Sequence, residues 1–142
     1  MFKNILVPID LNQPSSWETA LPTAIELCRR DGAKLHVMTV IADIYVGHVA
    51  EYFPPGAEDQ FLERAAAALH DIVKKQVSED ITVQEIVADG SIYREILSAA
   101  EKVGADLIVM ASHRPELKDY LIGANAGRVV RYAGCSVMVV RD

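Results

Sequence analysis

Five short runs of apolar, largely β-branched residues alternate with segments of helical periodicity, and this alternation restricts the fold more than any other feature. Strands with apolar residues on both faces, separated by helices, are typical of a parallel sheet covered on both sides. The sequence therefore predicts an α/β fold in one domain over residues 1–142, an open parallel five-stranded sheet with helices on both faces. The five runs are Ile5–Ile9, Leu35–Ile41, Ile81–Val87, Leu107–Met110 and Val137–Val140.

Four helices are predicted between these runs, each from an apolar stripe. The first begins near Ser15 and Glu18, which have the spacing of a capping box, but Pro22 predicts a kink or a later start. Gly104 is expected to end the third helix, because glycine readily adopts the left-handed conformation that follows a helix. The later three helices are predicted over residues 58–78, from Ser91 to Gly104, and over Ala124–Ala133.

Charge and composition exclude several classes of function. The net charge of −6 divides into −8 over residues 1–110 and +2 over residues 111–142. An acidic body argues against a general nucleic-acid binder, since phosphate contacts require a basic surface. The longest apolar runs, near five to seven residues, are far shorter than the roughly 20 residues of a membrane helix. We therefore expect no nucleic-acid partner and no membrane insertion, while a small anion near the C-terminal segment stays compatible with the charge.

The cysteines and histidines do not form a recognisable metal or disulfide pattern. Cys28 and Cys135 lack metal-type spacing, and nothing at the N-terminus resembles a signal peptide, so we expect a reducing cytoplasm. The histidines lack a second ligand at metal spacing, and those outside the loop after the fourth strand are interpreted as structural or solvated. These three are His36, His48 and His70.

The connection from Ala42 to Ala57 is long for a compact domain. Structureless connections of this length are usually lids, binding loops or interfaces. The segment is therefore predicted to serve function or assembly, and the alternative is a loop that only covers the sheet.

Candidate site residues directly follow the first and fourth strands. Ligands of open α/β sheets bind outside the carboxyl ends of strands, which makes these positions informative. Asp10 comes directly after the first strand and suits a ribose or an amine, although an Asp there also starts turns. The fourth strand leads into Met110–Arg114, and Gly123–Arg128 opens the last helix. Small residues and free N–H groups at a helix start favour an anion, to which Arg114 would add a guanidinium. The alternative is a tight turn and an ordinary glycine before a helix.

Taken together, these segments resemble the universal stress protein family over the whole chain. The resemblance rests on Ile5–Asp10, Val40-Ile41, Gly90-Ser91, Asp106–His113, Gly123–Ala126 and Cys135–Arg141. It implies the strand order 3-2-1-4-5, ATP as ligand with Mg²⁺ held by the phosphates, and a homodimer paired through Val137–Val140, with a tetramer as the larger alternative.

The resemblance also implies which residues hold the nucleotide. The adenosine part would contact Pro8, Ile9, Asp10 and Val40. The phosphates would be lined by Met110, Ala111, Ser112, His113, Arg114, Gly123, Ala124, Asn125 and Ala126. The sequence departs from the family pattern Gly-x2-Gly-x9-Gly-Ser/Thr, because Ala111 and Arg114 replace two glycines, the following spacer is one residue shorter, and Ala124 lacks a hydroxyl. The run Ala111–Pro115 resembles a subset of the family with this shortened motif, in which nucleotide binding is still found.

Three functions remain open at this stage. The leading interpretation is a cytoplasmic stress-response regulator that binds ATP or a related adenine nucleotide and signals as a dimer. The second is a slow ATPase or nucleotide-transferring enzyme with Asp10 or His113 as base. The third is an assembly module that binds no nucleotide.

Overall fold

The computed structural model describes residues 1–42, 56–112 and 121–141, apart from the side chains of residues 58 and 121–124. Strands and helices alternate along these ranges, as the periodicity predicts. The strands are β1 (Asn4–Ile9), β2 (Lys34–Ala42), β3 (Val83–Gly90), β4 (Leu107–Ala111) and β5 (Ser136–Val140). The α-helices are α1 (Ala20–Asp31), α2 (Ala57–Gln76), α3 (Ile92–Val103) and α4 (Leu121–Tyr132), and a 3₁₀ turn over Pro14–Ser16 precedes α1.

The five strands form one parallel sheet in the order β3-β2-β1-β4-β5. The α/β class and the strand order that the family resemblance implies are both confirmed. β1 lies at the centre, between β2 and β4, and β5 lies at an edge. The carboxyl ends of β1 and β4 therefore lie side by side.

Each face of the sheet has its own core because successive side chains of a strand point to opposite faces. α1 and α2 cover one face, where Ile5, Val7 and Val109 are fully buried. α3 and α4 cover the other face, where Leu6, Ile108 and Met110 are fully buried. This arrangement confirms the prediction of helices on both faces.

The first helix begins later than the Ser15–Glu18 pair suggests. α1 begins at Ala20, its N-cap Thr19 makes no side-chain capping hydrogen bond, and Ser15 lies in the 3₁₀ turn instead. Pro22 becomes the third residue of α1, where a missing N–H costs nothing because the first turn has no intrahelical acceptors. The capping-box prediction was wrong, and the later start that Pro22 predicts is confirmed.

The other helices agree with prediction to within a few residues. Gly104 ends α3 in the left-handed conformation with φ of 66°, as expected. α4 begins at Leu121, three residues before the predicted Ala124. Of the long connection from Ala42 to Ala57, residues 43–55 lie outside the described residues, so its predicted role stays a prediction.

Candidate functional site

The sheet opens between the carboxyl ends of β1 and β4. β1 pairs with β2 along its whole length as far as Ile9↔Thr39, but its pairing with β4 ends at Leu6↔Ile108, three residues before either strand ends. Pro8 contributes to this separation because it has no N–H to donate to a ladder. β2 and β3 lie on one side of β1, whereas β4 and β5 lie on the other side. The strand order therefore reverses between β1 and β4, and this reversal is the switch point at which α/β sheets bind ligands.

The same two strands are held together at their amino ends. The carboxylate of Asp106 accepts hydrogen bonds from the backbone N–H groups of Lys3 (2.9 Å) and Asn4 (3.0 Å). The Asp106 N–H in turn donates to the Asn4 carbonyl oxygen at 3.0 Å. Because β1 and β4 are joined there, their separation is confined to the end that carries the candidate site residues.

Asp10 forms a tight turn at the end of β1. Its Oδ1 accepts the N–H of Asn12 at 3.0 Å, and its carbonyl oxygen accepts the N–H of Gln13 at 3.0 Å. This is the turn-starting role that the sequence left open as an alternative. Within the part of the chain that the structure describes, Oδ2 of Asp10 has no hydrogen-bond donor. The half-buried carboxylate therefore keeps one oxygen available as an acceptor.

Ser16 fixes this turn, and sequence reasoning did not find it. The Ser16 hydroxyl is 2% exposed, accepts the Asp10 N–H at 2.8 Å and donates to the Asp10 carbonyl oxygen at 3.0 Å. The capping-box spacing points to Ser15 and not to its neighbour. The available signal was a second serine close after the strand-ending aspartate, because serine hydroxyls bond to nearby backbone groups in turns.

The predicted adenosine-binding residues divide between the two faces of the sheet. Val40 is half-buried and packs against the α3–α4 core, and Pro8 shares its face by strand alternation with Leu6. Ile9 is only 2% exposed and belongs to the opposite core. Any contact between Ile9 and a ligand in the opening therefore comes through its backbone.

The predicted phosphate-binding residues divide in the same way. Met110 and Ala126 belong to the α3–α4 core, whereas Ala111 is 3% exposed and lies in the α1–α2 core. The Ser112 N–H donates to the Val140 carbonyl oxygen at 3.0 Å, so this residue extends the contact of β4 with β5. His113 and Arg114 lie outside the described residues.

The early start of α4 changes which amides are available for an anion. Gly123 lies in the first turn, where backbone N–H groups have no acceptor within the helix. Asn125 lies beyond that turn, where its N–H donates to the carbonyl four residues earlier. Ala124 stands between them on the helix, and its side chain is outside the described set. Gly123 is thus the candidate whose backbone best suits an anion.

Other titratable groups of the described chain have structural roles. The ring nitrogens of the buried His36 contact Gln84 Oε1 (2.7 Å) and Asn4 Oδ1 (2.9 Å), and burial lowers the pKa of His36. Burial also raises the pKa of the Cys28 thiol to about 11. Among the residues that the structure describes, no group of three His, Cys, Asp or Glu side chains is placed to hold a metal ion.

Among the helices of the described ranges, none is both long enough and apolar enough to cross a membrane.

Comparison with known proteins identifies a family over almost the entire chain. The model of the universal stress protein family matches residues 1–141. Universal stress protein G of Escherichia coli O157:H7 is 29% identical over 147 aligned residues, which cover 99% of this chain and 100% of the relative. The solved structure of the hypothetical protein MJ0577 has a TM-score of 0.79 and 27% identity, covering 100% of this chain and 97% of the other.

Two further solved structures share the fold at lower identity and contain nucleotides. A universal stress protein in complex with cAMP has a TM-score of 0.61 and 22% identity, with 99% of this chain and 97% of that chain covered. The universal stress protein from Archaeoglobus fulgidus in complex with dAMP has a TM-score of 0.62 and 18% identity, with 96% of each chain covered.

Proposed function

The chain belongs to the universal stress protein family, and on that premise we propose that it binds ATP or a related adenine nucleotide between the carboxyl ends of β1 and β4. The observation that carries the proposal is the opening of the sheet at this switch point beside an aspartate with one unused oxygen. The complexes of two similarly folded proteins with cAMP and dAMP support an adenine nucleotide over other anions.

The adenosine half of the nucleotide would lie against β1 and β2. Oδ2 of Asp10 would accept a hydrogen bond from a ribose hydroxyl, while Oδ1 continues to hold the turn at Asn12. Val40 is partly exposed on β2 and, with Pro8, supplies apolar surface for the base. Ile9 would contribute backbone groups only.

The phosphate half would lie near the start of α4. The Gly123 N–H in the first turn suits a phosphate oxygen, since helix N-termini favour anions. Arg114 would supply the charge that replaces the missing glycine amides of the family pattern, through a bidentate guanidinium contact. Mg²⁺ would arrive with the nucleotide and be held by its phosphates.

We propose a regulatory role in a cytoplasmic dimer rather than turnover. β5 is an edge strand, and an unpaired edge recruits other strands. Val139 on β5 and Val130 on α4 are 38% and 52% exposed, which supports an interface along this edge. Antiparallel pairing of two Val137–Val140 strands would close the dimer with a self-complementary contact. Val139→Lys should then produce monomers, and a wild-type chain that sediments as a monomer with ATP would refute the pairing.

The test of the nucleotide site uses Asp10→Asn, because asparagine retains Oδ1 for the turn and replaces the unused oxygen by an N–H donor. A hydrogen bond to a charged group contributes about 1.5–3 kcal/mol, so titration calorimetry should show ATP affinity about 10- to 150-fold lower. The urea midpoint without nucleotide should stay unchanged. Asn12→Ala is the matched control, since its backbone N–H and not its side chain makes the turn.

A second variant separates the two halves of the site. Arg114→Ala should weaken ATP much more than adenosine, because its proposed contact is with phosphate. Wild-type ATP affinity in Asp10→Asn would remove the proposed site, and equal losses for ATP and adenosine in Arg114→Ala would reject the role of that arginine. Multiple turnover of ATP by the wild-type chain would favour an enzyme over a regulator.

A further inference from the structure

An arginine–tyrosine cluster lies on the surface of α3 and α4 and includes none of the residues of the proposed nucleotide site. The guanidinium groups of Arg128 and Arg94 lie 5.2 Å and 5.7 Å from the ring centre of Tyr93, and that of Arg131 lies 5.5 Å from the ring centre of Tyr132. The two rings are 6.3 Å apart. These five residues, called the arginine–tyrosine cluster below, bring three positive charges onto one surface of an acidic protein.

Among the residues that the structure describes, no carboxylate forms an ion pair with the three arginines of the cluster. Over the described ranges, the ion pairs of arginine with aspartate involve Arg29 and Arg30, not the cluster. Arg94 donates from Nε to the hydroxyl of Tyr93 at 3.0 Å. A guanidinium stacked on a ring still presents N–H donors along its edge, in the geometry that suits a carboxylate.

The sequence of α4 and β5 adds positive charge and no acid, whereas α3 carries Glu95 and Glu101. Residues 121–141 contain three arginines and no Asp or Glu, whereas the whole chain has a net charge of −6. The third of these arginines, Arg141, is exposed after β5. An anionic partner is therefore attracted to the α4 side of the molecule more than to the acidic remainder of the chain.

An apolar groove continues from the cluster toward the C-terminal ends of α3 and α4. Its volume is about 370 Å³, and Tyr132 belongs to both the groove and the cluster. Tyr132 is 58% exposed, so much of its surface is left for a partner to cover. The apolar walls are formed by Leu97, Ala100, Ala105, Ala133 and Cys135, and Glu101 also lines the groove. The groove therefore suits an apolar side chain of a partner, and the carboxylates of that partner belong at the arginines.

We propose that the arginine–tyrosine cluster and this groove together dock an acidic segment of a partner protein. Carboxylates of the segment would bind the edges of the guanidinium groups, and a neighbouring apolar side chain would enter the groove. Tyr and Arg are the residues enriched where protein interfaces derive most of their binding energy. A single-stranded nucleic acid fits less well, because base stacking needs free ring faces and arginines already lie over both tyrosines.

The probe is a fluorescein-labelled peptide of 12 residues, three repeats of Glu-Glu-Leu-Leu, measured by fluorescence anisotropy with the full chain. Two matched peptides replace every Glu by Gln or every Leu by Ser. The Glu-Leu peptide should bind at least tenfold more tightly than either, since carboxylates and apolar side chains are both required. Its affinity should fall when salt rises from 50 to 300 mM, because exposed charges are screened.

The variants use the arginine outside the cluster as a matched control. Arg128→Ser with Arg131→Ser should weaken peptide binding at least tenfold, whereas Arg141→Ser should weaken it less than twofold. All of these arginines are exposed, so the urea midpoints should match the wild type. Amide exchange of the wild-type chain should slow in α3 and α4 when the peptide is bound, which tests the location without any substitution.

Several results would overturn the proposal. Equal binding of the Glu and Gln peptides, or equal effects of Arg141→Ser and the double variant, would show no recognition of acidic residues by the cluster. Tighter binding of a 20-nucleotide oligouridine than of the peptide would assign the surface to nucleic acid. Loss of self-association in the double variant would assign it to a second copy of this chain.

Discussion

Replacing Ser16 by alanine tests whether the turn at Asp10 is held by tertiary contacts or by local sequence. The Ser16 hydroxyl is buried and makes two hydrogen bonds to the Asp10 backbone. In Ser16→Ala the Asp10 N–H loses its acceptor, while the Asp10 carbonyl oxygen keeps the N–H of Gln13 as a donor. One backbone donor is thus left without a partner at the end of the central strand.

The magnitude follows from that single unsatisfied donor. A buried polar group left without a hydrogen bond costs about 1–3 kcal/mol, and each kcal/mol lowers the Tm of a chain of this size by about 2–4 °C. Ser15 supplies the control, because it is half-buried in the same turn and its side chain makes no hydrogen bond with the described residues. Ser15→Ala should change the free energy of unfolding by no more than about 0.5 kcal/mol.

Urea unfolding followed by tryptophan fluorescence is a suitable assay. Trp17 is the single tryptophan of the chain and packs against the α1–α2 core next to Ser16. The slope of unfolding free energy against urea should stay constant while the midpoint of Ser16→Ala falls. Equal midpoints for Ser15→Ala and Ser16→Ala would refute the assignment of Ser16 as the residue that holds the turn.

Three further predictions concern other parts of the fold. Burial lowers the pKa of His36, so the native state binds fewer protons than the unfolded state, and the unfolding free energy should fall as the pH drops below about 6.5. In His36→Gln, the difference in unfolding free energy between pH 7.5 and pH 5.5 should be smaller than in the wild type. Cys28 is 1% exposed and burial raises the pKa of its thiol to about 11, so at pH 8 a thiol reagent should modify Cys135 first. Equal rates of modification for the two cysteines would contradict the burial of Cys28. Gly104 has φ of +66° and open space for a Cβ, so Gly104→Ala should destabilise the chain by about 1–2 kcal/mol through backbone strain alone. Gly127→Ala, within α4 and equally uncrowded, should instead stabilise it by about 0.5–1 kcal/mol, and thermal unfolding that gives both variants the same sign would contradict this account.

The fold was predictable because its signals are local. Apolar runs mark all five strands, and Gly104 and Pro22 influence where α3 and α1 end and begin through their own backbone preferences. The strand order came from the family resemblance and not from periodicity, because spacing along the chain does not state which strands become neighbours. Asp10 and Gly123 were candidates from their positions after a strand and at a helix start, and the resemblance added the nucleotide as their ligand.

Tertiary structure decided which polar groups meet. The hydroxyl of Ser16, not that of Ser15, reaches Asp10 because the chain enters α1 through a 3₁₀ turn that buries one serine and not the other. Asp106 joins β4 to β1 across more than 100 residues of sequence.

The two faces of the sheet and the arginine–tyrosine cluster were likewise decided by packing. Strand alternation places Ile9 and Val40 on opposite faces, but only the docking of the helices makes one face an α1–α2 core and the other an α3–α4 core. Tyr93 and Arg128 lie on separate helices, which pack side by side on one face of the sheet. By itself the sequence determined the elements and their order along the chain, because backbone preference and burial periodicity are local properties. Only the folded structure decided the contacts between distant side chains, because those depend on which surfaces the sheet brings together.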